Sequence, residues 1–196
     1  QGVSSAASDV YKRQDGHSLT VISRQSKKKL KDLGSNQSIN AIQMNPAESA
    51  SWKQEVIQNS LKNCEGIINL AGEPIAEKRW TEDHCKEITN SRLETTKNLI
   101  ENLRNLKKPP KVLINASAIG FYGSHPQTEF TEESLPGDDF LASLCKRWET
   151  IASNKPRATR LVVVRIGIVL AKDGGALGKM LPIFRAGLGG LSLIHI

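Results

Sequence analysis

The sequence predicts an α/β fold in which a parallel sheet is doubly wound by helices. Short apolar runs, such as residues 66–70 and 111–115, recur along the chain, and stretches with helical periodicity separate them. Strands that alternate with helices in this way pair in parallel. Two of the runs end in small residues, which is typical of the strand ends where open parallel sheets bind ligands.

The predicted elements follow one another along the whole chain. Strands are expected, from their apolar and β-branched content, at 18–23, 39–44, 66–70, 111–115 and 161–170. Helical patterns cover 46–62, 81–106, 140–152 and 177–185, and 25–33 is a short basic helix or loop. Thr81 suits an N-cap because Glu82 and Asp83 follow it, where negative charge favours the helix dipole. Pro109 and Pro110 mark the end of the longest helix.

Composition excludes several classes of function. The chain carries a net charge of +7, but its few aromatic residues do not alternate with the basic clusters, so nucleic-acid binding is disfavoured. Three widely spaced cysteines predict neither a disulfide framework nor a metal site, and they suit a cytoplasmic protein. No apolar run approaches the roughly 20 residues of a membrane span. Whether the natural protein has a targeting peptide is left open.

The two ends of the chain are expected to be translated adapter sequence. Residues 9–14 read DVYKRQ and residues 191–196 read LSLIHI. These peptides can be encoded by reverse-complementary DNA, as in the mosaic ends of a transposase-based sequencing adapter. We therefore set residues 1–14 and 191–196 aside from fold reasoning and treat 15–190 as the domain.

Several motifs together resemble one known family. They are GIINLAG at 66–72, RW at 79–80, SRLETT at 91–96, KVLINASAIGFYG at 111–123, WE at 148–149, RIGIVL at 165–170 and GGAL at 174–177. The set resembles the extended short-chain dehydrogenase/reductases, and within them the YfcH-type atypical, NAD(P)-dependent epimerase/dehydratase-like subgroup. The resemblance implies a partial Rossmann-type NAD(P)-binding domain. Its first strand-helix unit, with the glycine-rich phosphate turn, and its C-terminal substrate region would be missing.

The resemblance also implies where a cofactor binds. The second strand of the family ends here in Ser23 and Arg24, with no acidic residue before Asp32. Arginine at this place accommodates the extra phosphate of NADP, whereas an acid would favour NAD, so we expect NADP rather than NAD. Further residues expected along the cofactor, from adenosine to nicotinamide, are Asn69, Leu70, Ala71, Gly72, Ala116, Gly167 and Ile168.

The catalytic set departs from the family pattern. Ser117 matches the serine that binds a substrate oxygen, but the Tyr-x-x-x-Lys pair falls on Leu141 and Cys145. A leucine cannot transfer a proton, and a thiol cannot replace an ammonium charge. The nearest replacements are Tyr122 and Cys145. Arg92 occupies the position of an asparagine in the standard set and is a fourth candidate.

Two functions remain open from the sequence. The first is an NADP-dependent oxidoreductase or nucleoside-sugar epimerase-like enzyme acting on a small molecule, such as a nucleotide sugar or a carbonyl compound. The second is a non-catalytic NADP-binding redox sensor or interaction module, which the loss of the Tyr/Lys pair supports. Consumption of NADPH with carbonyl substrates would separate them. The sequence predicts no oligomeric state.

Overall fold

The computed structural model describes residues 18–25, 39–76, 78–125, 127–169 and 175–188, with the backbone alone at 175, 176 and 179. In chain order, the strands and α-helices of these ranges are β1 (Leu19–Ser23), β2 (Ile39–Gln43), α1 (Glu55–Asn63), β3 (Gly66–Asn69), α2 (Glu82–Arg104), β4 (Val112–Ala118), α3 (Phe140–Ser153), β5 (Arg160–Ile166) and α4 (Gly175–Arg185). Two 3-10 helices, Ser49–Lys53 and Ile119–Tyr122, precede α1 and follow β4.

These elements confirm the predicted alternation of strands and helices. The predicted helix at 46–62 is divided, because Gln54 takes an extended conformation between the 3-10 helix and α1. Strand β5 ends at Ile166, earlier than predicted, because Ala118 is the last residue of β4 that pairs with it. The predicted basic segment at 25–33 lies almost entirely outside the described residues.

All strand pairs in the described residues are parallel, as predicted. β1 pairs with β2, and β3, β4 and β5 form a second sheet in that order. The described strands thus form two sheets, because no described strand pairs with the second edge of β1 or of β3. An unpaired edge or middle of the sheet is what the missing first strand-helix unit would leave. The register of β4 and β5 aligns Ser117 with Arg165 across the ladder.

Helix α2 contributes to two hydrophobic clusters. In the first, Leu103 packs with Ile57 of α1 and Leu113 of β4, and all three side chains are fully buried. The second cluster joins α2, β4 and α3 and contains Ile88, Leu93, Ala116, Leu144 and Trp148. No helix in the described ranges combines the length and apolar character needed to cross a bilayer.

A polar side chain caps the N-terminus of each of the two longest helices, α2 and α3. The Thr81 hydroxyl accepts a hydrogen bond from the His84 backbone N–H at 3.2 Å, which confirms the predicted cap of α2. Asp139 accepts one from the Ala142 N–H at 2.8 Å at the start of α3. Each cap satisfies a backbone donor that the helix itself leaves free.

Arg92 of α2 holds the loop that follows β3. Its Nη1 donates to the carbonyl oxygens of Glu73 and Ile88, both at 3.0 Å. The Ser91 hydroxyl accepts from the Glu73 N–H at 2.9 Å. A Cβ atom on Gly72 would lie 2.8 Å from Arg92 Cζ, so only glycine allows this approach.

We expect Gly72→Ala to lower the free energy of unfolding by about 1–3 kcal/mol, the usual cost of overpacking. The half-buried guanidinium would have to leave two carbonyl oxygens to make room for the methyl group. Urea unfolding of the variant measures the loss. Gly167→Ala is the matched control, since a Cβ there meets no atom within 4 Å. Equal effects of the two substitutions would contradict the steric explanation.

Candidate functional site

Polar side chains lie at the carboxyl ends of β3, β4 and β5. They are Asn69, Ser117 and Arg165, one from each strand. Because the three strands run parallel, these ends lie at one edge of the sheet. This edge is where open parallel sheets bind their ligands.

Ser117 is hydrogen-bonded to an ion pair between α3 and β5. Its hydroxyl donates to Glu149 Oε1 at 2.6 Å. Arg165 grips the same carboxylate with two bonds, Nε to Oε1 at 3.0 Å and Nη2 to Oε2 at 2.9 Å. The side chains of Arg165 and Glu149 are only 18% and 15% exposed. The Glu149 carboxylate raises the pKa of the Arg165 guanidinium above its usual range.

Arg165 also connects this ion pair to Tyr122. Its Nη1 donates to the Tyr122 hydroxyl oxygen at 2.8 Å and to the Glu132 carbonyl oxygen at 2.9 Å. The guanidinium carbon lies 3.6 Å from the centroid of the Phe121 ring. Two candidate residues, Ser117 and Tyr122, therefore belong to one hydrogen-bonded network although they come from different elements.

Cys145 lies beside Ser117 in the interior. Burial raises the pKa of its thiol, and its contacts with the Ser117 hydroxyl and the Ala118 backbone oppose that shift in part. The thiolate is the nucleophilic form of cysteine, so this environment disfavours nucleophilic chemistry. The structure thus places Cys145 at the site in its less reactive, protonated form.

Arg92 lies behind the loop after β3 and makes none of the hydrogen bonds that join Ser117, Glu149, Arg165 and Tyr122. Its guanidinium bonds to backbone carbonyls and stacks on the Trp148 ring at 5.5 Å. Burial lowers its pKa. These contacts suit a residue that positions the loop, and its predicted catalytic role stays a prediction.

Asn69 belongs to a buried polar network. Its Nδ2 donates to Thr96 Oγ1 at 2.9 Å and to Asn115 Oδ1 at 2.7 Å, and Trp148 Nε1 donates to the same Thr96 oxygen at 2.7 Å. Asn69 Oδ1 accepts from the Ala71 N–H at 3.3 Å. Asn69, which was predicted to lie along the cofactor, therefore holds the turn after β3 through its side chain.

A cavity of about 430 Å³ lies between the ends of β1 and β3. Of the predicted cofactor residues, Arg24, Ala71 and Gly72 line it. Ser23 is adjacent in the chain, and its hydroxyl accepts from the Gln25 N–H at 3.1 Å. The remaining predicted cofactor residues do not line this cavity: Leu70, Gly167 and Ile168 are exposed, and Ala116 packs in the second hydrophobic cluster.

Charged residues alternate along the wall of this cavity. Arg24 Nη2 lies 2.7 Å from Glu73 Oε2, and the Lys78 ammonium lies 3.4 Å from Glu73 and 2.9 Å from Glu87. The Arg24 hydrogen bond lowers the pKa of the Glu73 carboxyl. Glu73, His84 and Glu87 have side-chain oxygen or nitrogen atoms within 4.8 Å of one another, a spacing that a metal ion could bridge. The Lys78 ammonium already supplies positive charge to both carboxylates, so the cluster is balanced without a metal.

Sequence reasoning gave neither Glu149 nor Arg165 a role in the site. Both lie within motifs that carried the family resemblance, WE at 148–149 and RIGIVL at 165–170. A charged residue within the β-branched run of β5 was the available signal, because a charge beside a sheet core requires a partner.

Comparisons with known proteins agree with this fold. A family model described as the NAD dependent epimerase/dehydratase family matches residues 4–166. That match begins within the segment 1–14, whose adapter origin stays a prediction.

Two curated relatives illustrate the similarity. The chain is 36% identical over 180 residues to the Epimerase family protein SDR39U1 homolog, chloroplastic, of Arabidopsis thaliana, covering 91% of this chain and 49% of that protein. It is 41% identical over 143 residues to the human Epimerase family protein SDR39U1, covering 71% and 48%. The chain therefore spans about half the length of these relatives.

Solved structures show the same architecture. Human SDR39U1 (isoform2) with NADPH matches with a TM-score of 0.71 and 31% identity, over 97% of this chain and 58% of that one. WbmG of Bordetella bronchiseptica in complex with NAD and UDP gives 0.73 at 13% identity over 97% and 58%, a likeness of fold alone. These matches confirm the predicted Rossmann-type fold class and the extended short-chain dehydrogenase/reductase resemblance. The chain belongs to the NAD dependent epimerase/dehydratase family.

Proposed function

We propose that the chain is part of an NADP-dependent oxidoreductase or nucleoside-sugar epimerase-like enzyme. The observation that carries the proposal is the single network that holds two hydroxyls, Ser117 and Tyr122, at the ligand-binding edge of the sheet. Membership of the family and the similarity to a human protein solved with NADPH support it. Its substrate is a small molecule, either a nucleotide sugar or a carbonyl compound.

The cavity between β1 and β3 has groups that fit the adenosine end of NADP. The Arg24 side chain is 56% exposed, so it is accessible to a phosphate group. The backbone at Ala71 and Gly72 allows close approach because these residues are small. Arg24, Ala71 and Gly72 would therefore bind the nucleotide, whose nicotinamide supplies a hydride acceptor or donor. No acidic residue that would select NAD follows β1 before Asp32, so NADP is preferred.

The two hydroxyls have separate tasks in this proposal. Tyr122 accepts a hydrogen bond from Arg165, so its own proton remains available to a substrate oxygen. Ser117 holds the substrate oxygen in position. Neither task requires a residue at the family's tyrosine position, where Leu141 stands. Cys145 contributes packing beside Ser117, since burial keeps its thiol protonated.

The second candidate is a non-catalytic NADP-binding redox sensor or interaction module. The observation that favours it is the apolar Leu141 at the position of the family's proton donor. Such a protein would bind NADPH and leave it unconsumed. Incubating NADPH with a panel of aldehydes, ketones and nucleotide sugars, with absorbance at 340 nm as the readout, distinguishes the two.

We expect Arg24→Ala to weaken NADPH binding by about 10- to 100-fold and to leave NADH binding unchanged. The reason is the loss of charge-assisted hydrogen bonds to the extra phosphate, which contribute about 1.5–3 kcal/mol. Nicotinamide fluorescence titrations of both nucleotides measure this. Arg157→Ala removes an exposed arginine elsewhere and serves as control. An equal loss for NADPH and NADH would contradict the assignment of NADP.

We expect Ser117→Ala to lower kcat by about 100-fold, because a misplaced substrate oxygen reacts slowly. Nucleotide affinity should stay unchanged, since Ser117 lies outside the cavity around Arg24. Steady-state kinetics of the full-length protein give both quantities. Ser153→Ala removes an exposed hydroxyl that bonds only to the backbone of its own helix, and it should have wild-type kinetics. Undiminished turnover in Ser117→Ala would exclude the proposed role.

We expect Cys145 to react slowly with iodoacetamide at neutral pH. Its raised pKa keeps the thiolate fraction small until the pH exceeds the ordinary cysteine range, and burial limits access. Peptide mass spectrometry after timed labelling measures its rate against the half-buried Cys85. Labelling of Cys145 ahead of Cys85 at pH 7 would restore it as a candidate nucleophile.

A further inference from the structure

We infer that Glu149 and Arg165 act as a positioning pair that sets the hydrogen-bonding directions of Ser117 and Tyr122. Ser117 then accepts a hydrogen bond from a bound ligand, and Tyr122 donates one to it. The inference rests on the proposed function for the statement that a substrate binds here. The directions themselves follow from the contacts of the four side chains.

The Arg165 guanidinium fixes Tyr122. Its Nε and Nη2 are committed to Glu149, and its Nη1 donates to the Tyr122 oxygen and to the Glu132 carbonyl oxygen. Four of the five N–H groups of arginine therefore have acceptors. The planar group also lies on the Phe121 ring, which restricts its rotation. Because Arg165 can only donate, the Tyr122 oxygen must accept, and the phenolic proton points elsewhere.

Glu149 fixes Ser117 as a hydrogen-bond donor, whereas Arg165 fixes Tyr122 as an acceptor. A carboxylate can only accept, so the short 2.6 Å contact uses the one proton of the Ser117 hydroxyl. Ser117 has two lone pairs, and the protonated Cys145 thiol beside it can donate to one of them. The other remains for a ligand group that reaches this side chain, which is 3% exposed without a ligand. A ligand group that meets Ser117 must therefore carry a hydrogen of its own. A hydroxyl satisfies this requirement, whereas a carbonyl oxygen does not, so the pair selects an alcohol at Ser117.

The ion pair is well suited to hold these directions. Both side chains are more than four-fifths buried, so removing either charge leaves the other without a partner in a poorly solvated place. Lysine at 165 would keep the charge but would lack the planar fork that reaches Glu149 and Tyr122 together. The conservative variant thus separates the effect of charge from the effect of geometry.

The experiment uses 3-fluorotyrosine and fluorine NMR on the nucleotide-free protein. The label is placed at position 122 alone by amber-codon incorporation, so that the same labelled site serves in the full-length protein used for the kinetics. Arg165→Lys and Glu149→Gln are compared with Arg160→Lys, an exposed arginine on the same strand. We expect the first two variants to shift the Tyr122 resonance and the third to leave it in place. We further expect Arg165→Lys to lower kcat by about 100-fold while NADPH affinity changes less than twofold.

Cyclohexanol and cyclohexanone, titrated separately, test the hydrogen-bonding directions. We expect the Tyr122 resonance to respond at lower concentrations of the alcohol than of the ketone, and Ser117→Ala to abolish this preference. Equal responses to both probes, including no response to either, would overturn the assigned directions.

Two further results would overturn the positioning role. One is an unshifted Tyr122 resonance in Arg165→Lys. The other is a parallel loss of urea stability, NADPH affinity and kcat, which would identify the pair as a structural clamp. A failure of the proposed function gives a different result from a failure of the positioning role. The wild type would then turn over no substrate, and the fluorine resonance would still decide whether the pair positions Tyr122.

Discussion

The ion pair between Glu149 and Arg165 is the constraint on which the rest of the site depends. It joins helix α3 to strand β5, and through Ser117 and Tyr122 it also reaches β4 and the 3-10 helix after it. Two partly desolvated charges are stabilising only when geometry and further hydrogen bonds compensate their lost hydration. Here the serine and tyrosine hydroxyls are part of that compensation. The groups that satisfy the ion pair are the same groups to which the proposed function assigns the ligand, so under that proposal the stability and the chemistry of the site are coupled.

Much of the fold could be predicted from the sequence because local signals agree with one another. β-branched runs, the Thr81 cap and the Pro109–Pro110 pair placed the strands and the longest helix. The division of the sheet into two parts lies where the order 3-2-1-4-5-6 has the first strand, which the resemblance implies is missing, so an unpaired edge or middle was to be expected. The end of β5 at Ile166 follows from where β4 stops, and Gly167 directly after it was a signal in the sequence, because glycine disfavours strand.

The candidate site was predictable only in part, for a related reason. Ser117, Tyr122 and Arg24 stand next to recognisable strand ends, and the family resemblance selected them as candidates there. Glu149 and Arg165 are 16 residues apart on different elements, and only the tertiary structure brings them together. Arg92 shows the opposite case: the sequence match suggested catalysis, whereas the contacts show a guanidinium that supports the loop after β3.

The charged residues that line the cavity between β1 and β3 also share partners. Arg24 is bonded to Glu73, and because this bond lowers the pKa of Glu73, the carboxylate stays ionised at neutral pH and competes with any phosphate for the guanidinium. A phosphate that bound Arg24 would leave the Glu73 carboxylate without a cationic partner if no other cation were near. Lys78 lies 3.4 Å from the same carboxylate and can compensate it when Arg24 turns away. The second cation thereby lowers the cost of transferring Arg24 from Glu73 to a ligand, although Lys78 itself need not contact that ligand.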